Sequence, residues 1–106
     1  MTKKPHDYYL QLKEHHGELI TAVEALGAAA RSAGPLEEKT IHLIQLAAAA
    51  AIRSHGSTRS HAKRALEAGA SPEEIRHAVI VLTSTIGFPT VAAALSWVDD
   101  VLEPGA

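Results

Sequence analysis

Two histidines and two serines are the residues of this 106-residue chain whose types and spacing suit proton-transfer chemistry. Ser54, Ser57 and His61 follow one another at intervals of three and four residues, so they share one face if the segment is helical throughout. His42 lies earlier, and antiparallel packing of consecutive helices would bring it near His61. Because the pKa of histidine is tunable around neutrality, a His42–His61 pair in an apolar pocket predicts a general acid and a general base.

Two arginines beside this cluster predict how a substrate would be held. Arg53 and Arg59 lie on either side of Ser57, where a helix is expected to begin. The positive end of a helix and nearby guanidinium groups together suit a carboxylate. The structural alternative also stands: Ser54 and Ser57 would then only cap a helix, and His42 would be a core or interface histidine.

A metal site is an alternative use of the histidines. His42, His55 and His61 together could supply imidazole ligands for Zn, Cu, Ni or Fe. The spacing favours this only weakly, because positions 55 and 61 point in different directions on one helix. We therefore expect neither a metal nor another cofactor, and we keep the three-histidine site as the alternative.

Composition limits both the chemistry and the partners. The chain has no cysteine, which excludes disulfides, thiolate nucleophiles and zinc–thiolate sites. A formal net charge of −2 gives no electrostatic reason to expect nucleic acid or an anionic membrane as partner. No apolar stretch approaches the ~20 residues of a membrane span, and no secretory signal follows the charged start. We expect a cytoplasmic protein.

The elements that must position the candidate residues are predicted to be α-helices. Apolar residues recur at intervals of three and four along most of the chain, and no strand candidate has comparable support. Short connections place neighbouring helices antiparallel, so the sequence predicts one all-α domain over residues 1–106, a compact bundle of five to six helices. The predicted helices cover residues 6–33 with a bend near Gly17, 36–53 as the central buried helix, 57–68, 72–86 and 90–102.

Local signals predict where two of these helices begin or end. His55-Gly56 is expected to interrupt the chain before the third helix, and Gly69 is expected to close that helix as a left-handed cap. Ser71-Pro72-Glu73-Glu74 combines a serine N-cap, a proline at the first helical position and a glutamate at the third. It is the clearest local signal in the sequence, and it predicts a helix start.

The order of several motifs resembles the core of the carboxymuconolactone decarboxylase superfamily, which includes the alkyl hydroperoxidase D-like proteins. The resembling motifs are Leu36-Glu-Glu-Lys-Thr, Leu43-Ile44, the alanine run that follows, Ser57-x-x-x-His61, Ala65 through Ile75, and Gly87-Phe-Pro. The resemblance covers about residues 36–103, preceded by the helix predicted over 6–33. It implies an all-α fold of the alkyl hydroperoxidase D-like type, whose subunits assemble through helical surfaces into trimers or hexamers.

The chain departs from the peroxidase branch of that superfamily at three positions. That branch carries a glutamate, a C-x-x-C pair and a histidine, and these fall on His42, on Ser54 and Ser57, and on His61. A serine hydroxyl cannot form a disulfide, and a helix dipole worth about 1 kcal/mol cannot ionise it near neutral pH. Thiol peroxidase activity is therefore excluded unless the two serines replace natural cysteines.

The decarboxylase branch also lacks the cysteine pair and keeps the histidine. The resemblance therefore implies cofactor-free decarboxylation or isomerisation of a small carboxylate, in which His61 moves the proton and Arg53 or Arg59 holds the carboxylate. The alternative is a non-catalytic oligomeric module that binds a ligand or a metal. Much of the 46% hydrophobic content is alanine, so the core is thin and apolar surface remains for a partner subunit. This favours a homo-oligomer independently of the resemblance.

Overall fold

The computed structural model describes residues 5–103 of the chain, and the side chains of residues 7–103. The helices are α1 (Pro5–His15), α2 (Gly17–Ser32), α3 (Glu38–Ala51), α4 (His55–Glu67), α5 (Pro72–Ile80), α6 (Thr83–Ile86) and α7 (Phe88–Leu102). The all-α prediction is confirmed. Five to six helices were expected and seven helical segments stand in residues 5–103, because two predicted helices are each divided in two.

Contacts along the chain define two compact units, residues 1–35 and 36–106. The division lies at Gly34-Pro35, directly after the helix that was predicted over residues 6–33. The prediction of a single domain over the whole chain stays a prediction.

The first unit contains α1 and α2, which were predicted as one helix. The chain breaks at His16, whose backbone angles of φ −136° and ψ 55° are not helical. The hydroxyl of Tyr9 donates a hydrogen bond of 2.5 Å to the carboxylate of Glu24 on α2, and Lys13 Nζ lies 3.5 Å from the same carboxylate. These contacts fix α1 against α2 after the break.

The second unit is built around α3, which packs against α4, α5 and α7. The prediction that the second helix is the central buried one therefore agrees with the structure. Its core consists of small and medium side chains: Leu46, Ala50, Ala62, Ala65, Ala70, Ile75, Val79, Val91, Ala94 and Val98. Half of these core residues are alanines, and their small side chains allow close approach of the packed helices, among them α3 and α4.

The helix that begins at Ser71 was predicted to continue to about residue 86, but α5 ends at Ile80. The Thr83 hydroxyl donates a hydrogen bond of 2.7 Å to the Ile80 carbonyl, and a side chain that bonds the backbone in this way competes with helix continuation. The short α6 follows. Within the described residues, no helix is long and apolar enough to cross a membrane.

Candidate active site

The connection between α3 and α4 takes three residues and reverses the chain at Arg53. Arg53 has φ +58°, in the left-handed region that a side chain other than glycine rarely occupies. Its N–H donates to the Ala50 carbonyl at 3.0 Å, and the N–H of Ser54 donates to the Ala49 carbonyl at 2.9 Å. These two bonds form a Schellman motif, which satisfies the last carbonyls of α3 and turns the chain into α4.

Helix α4 begins at His55, so the predicted interruption at His55-Gly56 and the predicted start at Ser57 are two residues too late. The reversal is made by Arg53, and Gly56 lies inside the first turn of the helix. Ser54 is the N-cap, although its side chain makes no cap hydrogen bond. The Ser54 carbonyl instead accepts a hydrogen bond of 2.7 Å from the hydroxyl of the buried Thr58.

Because α4 is helical from its first residue, Ser57 and His61 lie one turn apart on the same face. Ser57 is exposed, whereas His61 and the N-cap Ser54 are half-buried. The structure therefore places Ser57 and His61 on one helix, whereas Ser54 lies just before that helix in an extended conformation.

His42 and His61 face each other across α3 and α4. Their ring centroids are 5.9 Å apart and the rings are tilted by 32°. His42 is 5% exposed, and the Nδ1 atoms of both rings are buried. The two histidines that the sequence singled out thus form a pair, and the half-buried His61 is its more accessible member.

Two groups beside the pair were missed at the sequence level. The Glu38 carboxylate lies 3.8 Å from His42 Nε2, and Gln45 Oε1 is buried without a hydrogen bond from any described residue. Both residues lie one turn from His42 on α3, so helical spacing from that histidine would have identified them. With them, the polar cluster extends over two turns of the central helix.

Arg53 and His55 both contact α7. Arg53 Nη1 donates a hydrogen bond of 3.0 Å to the Thr90 hydroxyl, and the His55 ring stacks on Trp97 with a centroid distance of 4.9 Å. Arg59 lies half-buried within α4. The two candidate arginines therefore differ in their positions. Arg53 lies in the connection and is hydrogen-bonded to α7, whereas Arg59 lies within α4.

The stacking of His55 on Trp97 also bears on the alternative metal site. His42 and His61 are paired, whereas His55 is directed at α7. In the part of the chain that the structure describes, no three His, Asp or Glu residues form a group that could hold a metal ion.

The fold and the site together define the class of protein: an all-α domain whose site pairs histidines of two consecutive helices without any cysteine. The model of the carboxymuconolactone decarboxylase family matches residues 17–100, most of the chain, and the protein therefore belongs to this family. The resemblance is confirmed, and the match begins earlier than the expected residue 36, so that it includes α2. Comparison with curated proteins finds no match.

Proposed function

We propose that this protein is a cofactor-free acid–base catalyst that decarboxylates or isomerises a small carboxylate. The observation that carries the proposal is the His42–His61 pair, in which one imidazole is buried and the other is partly accessible. The family supports the reaction class, because its name is that of a decarboxylase. His61 acts on the substrate, and His42 acts as its partner from the interior.

The burial of His42 and the proximity of the two rings affect how readily each histidine holds a proton. Two imidazoles within about 4–6 Å of each other disfavour simultaneous protonation, so a pair that holds one proton offers one acid and one base. An imidazole that titrates near neutrality accepts or returns a proton with little driving force in either direction, which is the requirement for general acid–base catalysis. Such proton transfer contributes roughly 10²–10⁴-fold to a rate.

The proposed steps need no further reactant except, in decarboxylation, a proton from solvent that restores the histidine pair after each turnover. In decarboxylation, the bond between the carboxylate carbon and its neighbour breaks, CO₂ leaves, and the electron pair remains as a conjugated enolate. The protonated form of the pair then delivers a proton to carbon through His61. In isomerisation, His61 removes a proton from the carbon next to a carbonyl and returns it to another carbon of the same enolate.

The start of α4 is the proposed place for the substrate carboxylate. The Ser54 side chain does not cap this helix, so it does not occupy the N–H groups of the first turn. The positive end of the helix dipole favours an anion there, and Arg59 adds a positive charge on the same helix. Arg53 contributes its charge from the connection, while its hydrogen bond to Thr90 holds it in place.

The test is turnover of carboxymuconolactone, followed by its ultraviolet absorbance and by release of CO₂. His61→Ala is expected to lower kcat at least about 10²-fold, with an unchanged far-UV circular dichroism spectrum. His77→Ala, which alters an exposed histidine of α5, is the matched control and should keep full activity. Equal kcat for the parent protein and His61→Ala would overturn the catalytic assignment.

If the lactone is not turned over, exchange of carbon-bound protons in D₂O extends the test to other small carboxylates. The substrate panel then consists of lactone acids and β,γ-unsaturated acids, and exchange is followed by proton NMR. A folded protein that exchanges none of them supports the non-catalytic binding module instead.

We also propose that the protein is a homo-oligomer. α2 exposes a stripe of large apolar side chains at helical spacing, with Leu19 58%, Val23 50% and Leu26 70% exposed. Sedimentation velocity at micromolar concentration should show a trimer or a hexamer, and Leu26→Gln should shift it toward smaller species. A parent protein that sediments as a monomer contradicts this proposal.

A further inference from the structure

We propose that Glu38 is the positioning residue that assigns the acid and base roles of the histidine pair. In this assignment the carboxylate holds the shared proton on His42, and His61 is the neutral base. The inference rests on the proposed acid–base function and deepens it. It concerns a residue one turn before His42 and places no new group in contact with the substrate.

The geometry places a carboxylate beside His42. His42 Nε2 lies 3.8 Å from Glu38 Oε1, and the two residues are four positions apart on α3. The Glu38 side chain is 75% exposed, whereas that of His42 is 6% exposed. A carboxylate at this distance favours a proton on Nε2 and stabilises the charged imidazolium.

Apart from the half-buried Arg59, the other charged groups on the helices around α3 are paired or exposed. Lys39 Nζ lies 3.2 Å from Glu74, between α3 and α5. Arg76 of α5 is paired with Asp99 and Glu103 at 3.1 and 2.8 Å. The remaining titratable residues of α4, α5 and α7 are the half-buried Arg59 and the exposed His55, Lys63, Arg64, Glu67, Glu73, His77 and Asp100. His61 on α4 is the titratable group with a ring contact to His42.

One proton shared by two imidazoles goes to the ring with the better counter-charge. At a centroid distance of 5.9 Å, a proton on His42 disfavours a second proton on His61. Glu38 therefore acts on His61 indirectly, by keeping the partner ring charged. Without the carboxylate, burial of His42 would favour its neutral form, and the proton would move to the more accessible His61.

The test is nitrogen NMR of the histidine rings in the full-length protein, because ¹⁵N chemical shifts report both protonation and tautomer. Glu38→Gln removes the carboxylate and keeps the side-chain length. Glu37→Gln is the matched control, since Glu37 is the adjacent exposed residue at the N-cap of α3 and makes no cap hydrogen bond. Both variants remove one negative charge from the same helix start, so the helix-dipole contribution is matched. Glu38→Asp tests whether a shorter carboxylate restores the effect in part.

In the parent protein, the His42 ring is expected to titrate at higher pH than the His61 ring, with its proton on Nε2. Glu38→Gln should lower the His42 midpoint by roughly half a unit or more and raise that of His61, while Glu37→Gln shifts both by less. Equal shifts in the two variants, or a parent protein in which His61 titrates at the higher pH, would overturn the role of Glu38. These readouts need no substrate, so they stand apart from turnover by His61. Loss of the Glu38 effect with intact turnover rejects this inference alone, and an intact Glu38 effect without turnover rejects the proposed function alone.

Discussion

The connection from α3 to α4 and the connection from α4 to α5 make the same kind of turn with different residues. Both close the preceding helix with a Schellman pair of backbone hydrogen bonds, donated by the N–H groups of residues 53–54 after α3 and of residues 69–70 after α4. The left-handed position is filled by Gly69 at φ +100° in one connection and by Arg53 at φ +58° in the other. The same turn is therefore made once by a residue suited to it and once by a residue that it strains.

The N-termini of α5 and α4, which follow these turns, also differ: the start of α5 is capped by a side chain and the start of α4 is not. After Gly69, the Ser71 hydroxyl accepts from the Glu74 N–H at 3.1 Å, while the Glu74 carboxylate accepts from the Ser71 N–H at 2.9 Å. After Arg53, the Ser54 side chain caps nothing. Departures from local preference concentrate where a site needs a particular side chain or an open helix end. The comparison therefore favours the connection before α4 as the place of the proposed site.

The largest expected effect is at the connection that follows the local rules. Gly69→Ala is expected to lower the free energy of unfolding by about 2 kcal/mol, because alanine is disfavoured at positive φ. No neighbouring atom lies within 4 Å of an added Cβ, so backbone conformation accounts for the whole loss. Urea denaturation measures it. A loss below about 0.5 kcal/mol would mean that the turn tolerates side chains generally, and the contrast with Arg53 would disappear.

The second expected effect is a difference in the stability cost of replacing the two N-cap serines, Ser71 and Ser54. Ser71→Ala should cost about 1 kcal/mol, because it removes one half of the capping box. Ser54→Ala should cost well under that, because its side chain makes no cap hydrogen bond. The pair is compared by urea denaturation at one pH. Equal losses would show that Ser54 caps α4 in solution, which would close the proposed carboxylate site.

A smaller effect concerns acid pH at the capping box. The backbone hydrogen bond from Ser71, and then Lys39, lower the pKa of Glu74 below its ordinary value of 4.5. A lowered folded-state pKa stabilises the folded protein above pH 4.5, and this contribution is lost as pH falls through the folded pKa. The stability difference between the parent protein and Glu74→Gln should therefore shrink on acidification from pH 6 to about pH 3. Glu73→Gln is the adjacent control. A difference that does not change with pH would contradict a role for the Glu74 charge.

The smallest effect on stability is expected at Arg53. Arg53→Gly removes the backbone strain of an arginine at positive φ, which stabilises the folded protein. It also removes the hydrogen bond to Thr90 and raises the entropy of the unfolded chain, which both destabilise it. Because these contributions oppose each other, the free energy of unfolding should change by less than about 0.5 kcal/mol. KM for the carboxylate substrate should nevertheless rise, because a positive charge beside the helix start is lost. Thr90→Val, which removes the hydrogen bond and keeps the charge, is the control. Unchanged KM in Arg53→Gly would mean that the strained turn serves packing only.

These two connections also show what the sequence could predict. Gly69 and the Ser71–Glu74 box act through contacts between residues at most five positions apart, so their types and spacing were sufficient to place the end of α4 and the start of α5. The turn before α4 was misplaced, because arginine carries no signal for positive φ and Gly56 offered a false one. In such cases tertiary contacts, here the bond to Thr90, override local preference.

The candidate site was likewise predictable where it depends on neighbouring helices and on local spacing, and not where it depends on contacts with α7. The proximity of His42 and His61 follows from antiparallel neighbouring helices, which short connections favour. Glu38 required attention to spacing around His42, and the contacts of Arg53 and His55 with α7 required knowledge of which helix lies beside the connection. Long-range placement of this kind is not encoded in residue spacing.

The stack of His55 on Trp97 allows the connection before α4 to be followed by fluorescence. Trp97 is the single tryptophan of the chain, so intrinsic tryptophan fluorescence comes from one ring. The centroid of that ring lies 4.9 Å from the centroid of the His55 ring, at the first residue of α4. Emission from the unlabelled protein therefore reports the state of this helix start, and a ligand that settles there can be followed without a chromophore of its own.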